Sequence, residues 1–224
     1  MWRGANGRRA FLQLNVDAKD STAKKGVLNV GNLTDTPATF FAGYADKVNT
    51  TLASFDWSGV VSLVDDMHRA WMNGNQVFMC GNGGSAGNAI HLVNDLVYGI
   101  AKTSGGGMRA IALSANTSVM TCLANDLGYD KVFCEQLAVQ GRPGDILIAM
   151  SGSGNSPNIV SVLERARVMG IRSFAILGYT GGKSKEIADV AIHFPIHDMQ
   201  IAEDMQLIVG HMVVQWLYHN RPMA

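Results

Sequence analysis

Gln76-Val77-Phe78-Met79 leads into Cys80-Gly81-Asn82-Gly83-Gly84-Ser85, and Ile146-Leu147-Ile148-Ala149-Met150 leads into Ser151-Gly152-Ser153-Gly154-Asn155-Ser156. Each is an apolar strand-like run followed by a short loop of glycine, serine and asparagine. Each loop runs on into a stretch with helical periodicity. A strand that turns through glycines into a helix leaves free backbone N–H groups and the positive end of a dipole at one spot. Serine hydroxyls add donors without adding charge. Such a spot suits a phosphate. Two of them on one parallel sheet predict a phosphorylated small molecule held at the carboxyl ends of the strands.

The alternation continues outward from these loops. Strands are expected at 76–80, 109–113, 145–150, 172–177 and 189–194, and helices near 85–100, 117–127, 130–140, 156–169, 184–188 and 199–218. Strand and helix in turn mean an α/β fold with a mainly parallel sheet covered on both faces. Two helices precede it. The first runs from Phe40 to about Ser54 with Phe41, Tyr44, Val48 and Leu52 on one stripe, and the second from Trp57 to Met72. These two and the last helix are read as extra to the sheet, with apolar stripes available for packing between subunits. Residues 1–33 show no periodicity and are read as a leader, with one domain over 34–224.

The chain has 224 residues, 47% apolar and 16% charged, which suits a globular domain with a large core. Lys plus Arg and Asp plus Glu are both 18, so no charge excess points to nucleic acid or an anionic membrane. Any phosphate site must rely on backbone and hydroxyl donors. No apolar run of about 20 residues is present to span a membrane, and no apolar segment follows the N-terminal arginines as in a signal peptide. The three cysteines, Cys80, Cys122 and Cys134, are expected to be buried small hydrophobes in a reducing, cytoplasmic setting.

His91 and Asp95 are four residues apart on the helix after the first loop, which puts them on one face. They suit joint metal ligation or proton transfer, although such a pair is often only a solvated polar face. His211 interrupts the apolar run Leu207 to Val214. Asp204 precedes it by seven residues on nearly the same face, and Glu203 by eight on the neighbouring stripe. If the two helices meet, His91, Asp95, Glu203 and His211 converge as a nitrogen and oxygen set suited to zinc or a similar ion. Ser114-Ala115-Asn116-Thr117-Ser118 follows the strand at 109–113, where Asn116 or Ser118 suits a substrate hydroxyl or a helix cap.

Taken in order, these segments resemble the sugar isomerase (SIS) domain, and within it the phosphoheptose isomerases. The likeness also takes in Asn88 to Leu96, Thr117 to Asp126, Gly141-Arg142-Pro143-Gly144-Asp145 and Glu203 to His211. It implies a three-layer αβα sandwich with a five-stranded parallel sheet, extra N-terminal helices and a homotetramer. It also implies aldose–ketose isomerisation of a seven-carbon sugar phosphate, sedoheptulose 7-phosphate. The implied phosphate contacts fall on Ser85, Ser151, Gly152, Ser153 and Ser156. Asn82, Gly83 and Gly84 line the sugar, and a further contact falls on Ala115 and Asn116. The implied zinc ligands are His91, Asp95, Glu203 and His211. The implied base is Asp95 and its acid/base partner His211.

The chain departs from the family's usual residues at four places. Asp95 stands for Glu, Glu203 for Gln, Asn116 for Asp and Gln206 for His. Asp retracts its carboxylate by ~1.5 Å, one C–C bond, relative to Glu. A displacement of about 1 Å can cost roughly a hundredfold in rate. Glu203 adds an anionic ligand. Two other SIS activities bear on the reading. One is a non-catalytic phosphosugar-binding module of the kind that binds a replication initiator, which tends to lose the acid/base pair kept here. The other is an arabinose 5-phosphate isomerase, which normally carries further repeats after the domain.

Overall fold

The computed structural model describes residues 36–102 and 105–222. The leader expected at 1–33 lies outside them. Helix α1 (Pro37–Ala53) opens at Thr36, whose hydroxyl accepts the Thr39 N–H, with Pro37 preset for the first turn. Helix α2 (Ser58–Met72) follows. Strand β1 (Val77–Gly81) leads into α3 (Gly84–Val97), and β2 (Ala110–Ala112) into α4 (Thr117–Asp126) and α5 (Cys134–Gln140). Strand β3 (Ile146–Ser151) leads into α6 (Pro157–Met169), and β4 (Arg172–Leu177) into α7 (Gly182–Ile187). Strand β5 (Val190–His193) precedes the long α8 (Met199–His219).

The five strands form one parallel sheet in the order β2-β1-β3-β4-β5. From β1 the chain crosses to β2 on one side, and from β3 it crosses to β4 on the other. The sheet therefore changes direction between β1 and β3, where open α/β sheets place ligands. Val77 pairs with Ile146 and Gly81 with Met150, so the two glycine-serine loops emerge side by side.

Period-two alternation divides the core. Val77, Met79, Ile146, Ile148, Met150, Phe174 and Ile176 face one layer. Phe78, Cys80, Leu147, Ala149, Ala175 and Leu177 face the other. Helices α2, α3 and α8 cover the first face; α4, α5 and α6 belong to the second. This corrects the reading of α2 and α8 as extra to the sheet. Leu63 and Met67 of α2 and Ile201, Met205, Val209 and Leu217 of α8 are core residues. Their stripes look spare in sequence because a helix facing a sheet and one facing a partner share the same 3.6-residue period. Of these three helices, α1 alone stands outside. It has no buried residue and packs Tyr44, Val48 and Leu52 on the core's edge.

Several helix boundaries also differ; the first helix, expected from Phe40, begins at Pro37. The helix expected over 130–140 begins at Cys134, after a 3₁₀ turn at Tyr129–Lys131. The one expected over 85–100 ends at Val97, before another such turn at Gly99–Ala101. All three cysteines are unpaired, and Cys80 and Cys134 are buried as expected. Burial pushes the Cys80 thiol up to about 12. Cys122 is exposed, because α4 buries none of its residues.

Leu147 sits fully buried on the central strand β3. Leu147→Ala is expected to cost about 2–5 kcal/mol. In urea unfolding this appears as a lower midpoint with an unchanged slope.

Candidate active site

The two loops enclose a cleft of about 270 Å³, lined by Asn82, Gly83, Gly84, Ser85, Met150, Ser151, Gly152, Ser153, Ser156, Met199 and Glu203. Thus every residue expected to bind phosphate, and each expected to line the sugar from the first loop, comes to one place. Gly83 takes φ 55°, and Gly154 takes φ 67° with its Cα against the Gly181 carbonyl. L side chains rarely adopt either angle, so both loop turns require glycine. The Ser151 hydroxyl accepts the Gly154 N–H at 3.0 Å and holds the second loop closed. Ser156 precedes α6, and its hydroxyl makes no capping bond.

Sequence reasoning missed the clamp between the loops. Asn82 and the buried Asn158 exchange reciprocal amide bonds of 2.9 and 2.8 Å. The Tyr129 hydroxyl donates to Asn82 Oδ1 at 3.0 Å. The signal available was Asn158 itself, a polar residue on the sheet-facing side of an apolar helix.

Helix α8 runs alongside α3 in the same direction. Asn88 Nδ2 donates to the Glu203 carbonyl and to Gln206 Oε1, both at 3.0 Å. Further along, Gly210 lies against Leu92, where a Cβ would collide with the leucine's methyl groups. One turn of this contact sets His91, Asp95 and His211 together. The two Nε2 atoms are 2.9 Å apart, and Asp95 Oδ2 lies 3.6 Å from His91 and 3.9 Å from His211. Asp95 Oδ1 accepts from Asn94 at 3.3 Å. The imidazoles keep 49% and 46% of their surface exposed.

These three groups fit a divalent metal. Their ligand atoms all lie within 4.8 Å of one another. Bonds of about 2.05 Å at tetrahedral angles would separate ligands by about 3.3 Å, close to the spacings found. Two imidazole nitrogens and one carboxylate oxygen leave a fourth position open.

Glu203, expected as the fourth ligand, is placed elsewhere. Its carboxylate lies over Gly84 and faces the Ser85 N–H at the start of α3. Burial, then the neighbouring Asp204 charge, raise its pKa, and the nearby Ser85 N–H opposes them. Asp204 is not in the cluster; it accepts the Tyr44 hydroxyl and docks α1. Burial, followed by that bond, raises the Tyr44 phenol above its usual range. Asn116 caps α4, its Oδ1 accepting the Val119 N–H at 3.2 Å. Ala115 and Asn116 are exposed and do not line the cleft of their own chain. A larger groove of about 520 Å³ runs along β5 between Asp56, Lys185 and His193, away from these groups.

The SIS domain model matches residues 43–178, more than half of the chain. The chain belongs to the SIS domain family. Among its SIS relatives, the phosphoheptose isomerase of Akkermansia muciniphila is 45% identical over 175 residues, 77% of this chain and 90% of that protein. That of Chlorobaculum parvum is 36% identical over 174 residues, 77% and 83% of the two chains. Among solved structures, phosphoheptose isomerase GmhA from Neisseria gonorrhoeae superposes with a TM-score of 0.74 at 26% identity, over 81% of this chain and 98% of that one. The five-stranded sheet expected of an SIS domain is the one observed.

The Gly210–Leu92 contact sets the histidine spacing. Gly210→Leu is expected to destabilise the fold by about 2 kcal/mol through overpacking. Urea unfolding measures the loss.

Proposed function

We propose that this chain is a phosphoheptose isomerase, interconverting sedoheptulose 7-phosphate and D-glycero-D-manno-heptose 7-phosphate through an enediol. The observation that carries the reading is the convergence of His91, Asp95 and His211 on the two helices that also line the glycine-serine cleft. A relative of that name at 45% identity supports it.

The length of α3 supports a long sugar chain. Six residues separate Ser85 from His91, a rise of about 9 Å. An extended seven-carbon chain with its phosphate spans roughly the same, at C–C bonds of ~1.5 Å. Ser85, Ser151, Gly152, Ser153 and Ser156 hold the phosphate with N–H and hydroxyl donors. Asn82, Gly83 and Gly84 lie along the sugar. Ala115 and Asn116 belong to the same assignment as a further substrate contact.

The chemistry moves one carbon-bound proton and one oxygen-bound proton. Asp95 takes the proton from C1 of the ketose, leaving the electron pair in a C1–C2 double bond. His211 gives a proton to the C2 oxygen and takes one from the C1 oxygen. Asp95 then returns its proton to C2, and the aldehyde forms at C1. A base and a separate oxygen-proton carrier are what this sequence needs. Zinc fits His91, Asp95 and His211, with Glu203 able to complete the set. When bound it supplies polarisation of the carbonyl.

Residues 34–224 form one domain in this reading. The assembly is a homotetramer, supported by the exposed Phe40 and Phe41 of α1 and Met212 and Trp216 of α8. Among the described residues no helix is long and apolar enough to cross a membrane. Unpaired cysteines support a cytoplasmic location.

Asp95→Ala and His211→Ala are each expected to lower kcat about 100- to 10,000-fold, assayed as heptose 7-phosphate formed. Full turnover in both variants contradicts the assignment. Chelator-stripped protein is expected to take up one zinc per chain in a calorimetric titration. His91→Ala should weaken that uptake by about a hundredfold or more, since even supporting residues around a metal contribute 10–100-fold.

A further inference from the structure

Glu203 occupies a position that a substrate's phosphate would claim. Its carboxylate lies over Gly84, at the start of α3, and faces the Ser85 N–H. It is also part of the wall of the cleft between the two loops. Among the described residues, no lysine, arginine or histidine lines the cleft. Backbone donors and the α3 dipole are therefore its main attraction for an anion. A carboxylate that lies over those donors competes with any phosphate for them. Its negative charge also opposes a second anion nearby.

The same side chain has a second destination. Glu203 and His211 are two turns apart on α8, a rise of about 12 Å. Helix side chains lean toward the N-terminus, so the His211 ring leans back toward Glu203. The cluster of His91, Asp95 and His211 supplies three ligand atoms and lacks a fourth. A divalent cation there offers the Glu203 carboxylate a full charge in place of the partial charge at the start of α3.

We propose that Glu203 is a positioning residue that couples the two halves of the site: without metal its carboxylate fills the phosphate cradle, and a cation at His91, Asp95 and His211 draws it away and opens the cradle. This rests on the reading of the cleft and cluster given under Proposed function. The coupling is reciprocal by linkage. A phosphate monoester that displaces Glu203 from the start of α3 frees it for the metal, so each ligand tightens the other by the same factor. The order follows from charge: the neutral amide of a glutamine at 203 would neither compete for the cradle as an anion nor transmit the effect.

The test is the affinity of glycerol 3-phosphate, a monoester with no carbonyl to isomerise, measured calorimetrically. Four forms are compared: wild type and Glu203→Gln, each metal-stripped and each loaded with one zinc per chain. Zinc is expected to tighten glycerol 3-phosphate binding to the wild type at least fivefold, within the usual range of coupling between sites. Stripped Glu203→Gln is expected to bind it as tightly as the zinc-loaded wild type, with zinc changing its affinity less than twofold. In the reverse titration, glycerol 3-phosphate should tighten zinc binding to the wild type by the same factor. Equal wild-type affinities with and without zinc overturn the coupling alone. So does a zinc effect in Glu203→Gln as large as in the wild type, which assigns the effect to the ion itself. Failure of every form to bind glycerol 3-phosphate overturns the cradle and the coupling together.

Discussion

Gly210 of α8 lies against the Leu92 side chain of α3, and the closeness of the two helices sets the geometry of the site. Because they run in the same direction, residues an equal distance along each meet in pairs. Asn88 bonds to the Glu203 carbonyl and Gln206, Leu92 meets Gly210, and His91 and Asp95 meet His211. No loop has to be ordered to make this arrangement. Two helices packed into the core carry it, which limits how far the ligating groups can drift. Ile201, Met205 and Val209 on one side and Ala89, Leu92 and Leu96 on the other anchor the pair by burial.

The second constraint is the adjacency of β1 and β3. Their register sets the two loops beside each other, and the Asn82–Asn158 pair locks one loop to the helix after the other. A cleft formed this way attracts an anion with dipoles and N–H groups rather than with lysine or arginine. That agrees with a chain of zero formal net charge.

Much of this was legible in the sequence for a physical reason. The strands are short, apolar and bounded by glycine or polar turns, so the limits expected for β4 are those observed and the others differ by a residue or two. The loops announced themselves because glycine and serine directly after a strand have few other uses. The His91 and Asp95 pairing follows from helical spacing alone. Its meeting with His211 does not, since it depends on which face of α8 reaches α3. The same limit explains α2 and α8. Periodicity shows that a stripe will be buried and not what buries it. Glu203 is the sharpest case: its place on α8 is readable, yet that its side chain lies over Gly84 follows from how α8 meets the start of α3, which only the fold supplies.

Asp95 is where the chemistry is most exposed to contradiction, since its carboxylate reaches less far than a glutamate's. It nevertheless lies within 4 Å of both imidazoles, with Oδ2 turned toward them. The most direct measurement is proton NMR of the zinc-loaded protein with sedoheptulose 7-phosphate in deuterated water. The account predicts new heptose 7-phosphate signals with deuterium at C2, because the abstracted proton exchanges with solvent before it is returned. A sugar that binds but keeps its C1 protons and yields no heptose would contradict it.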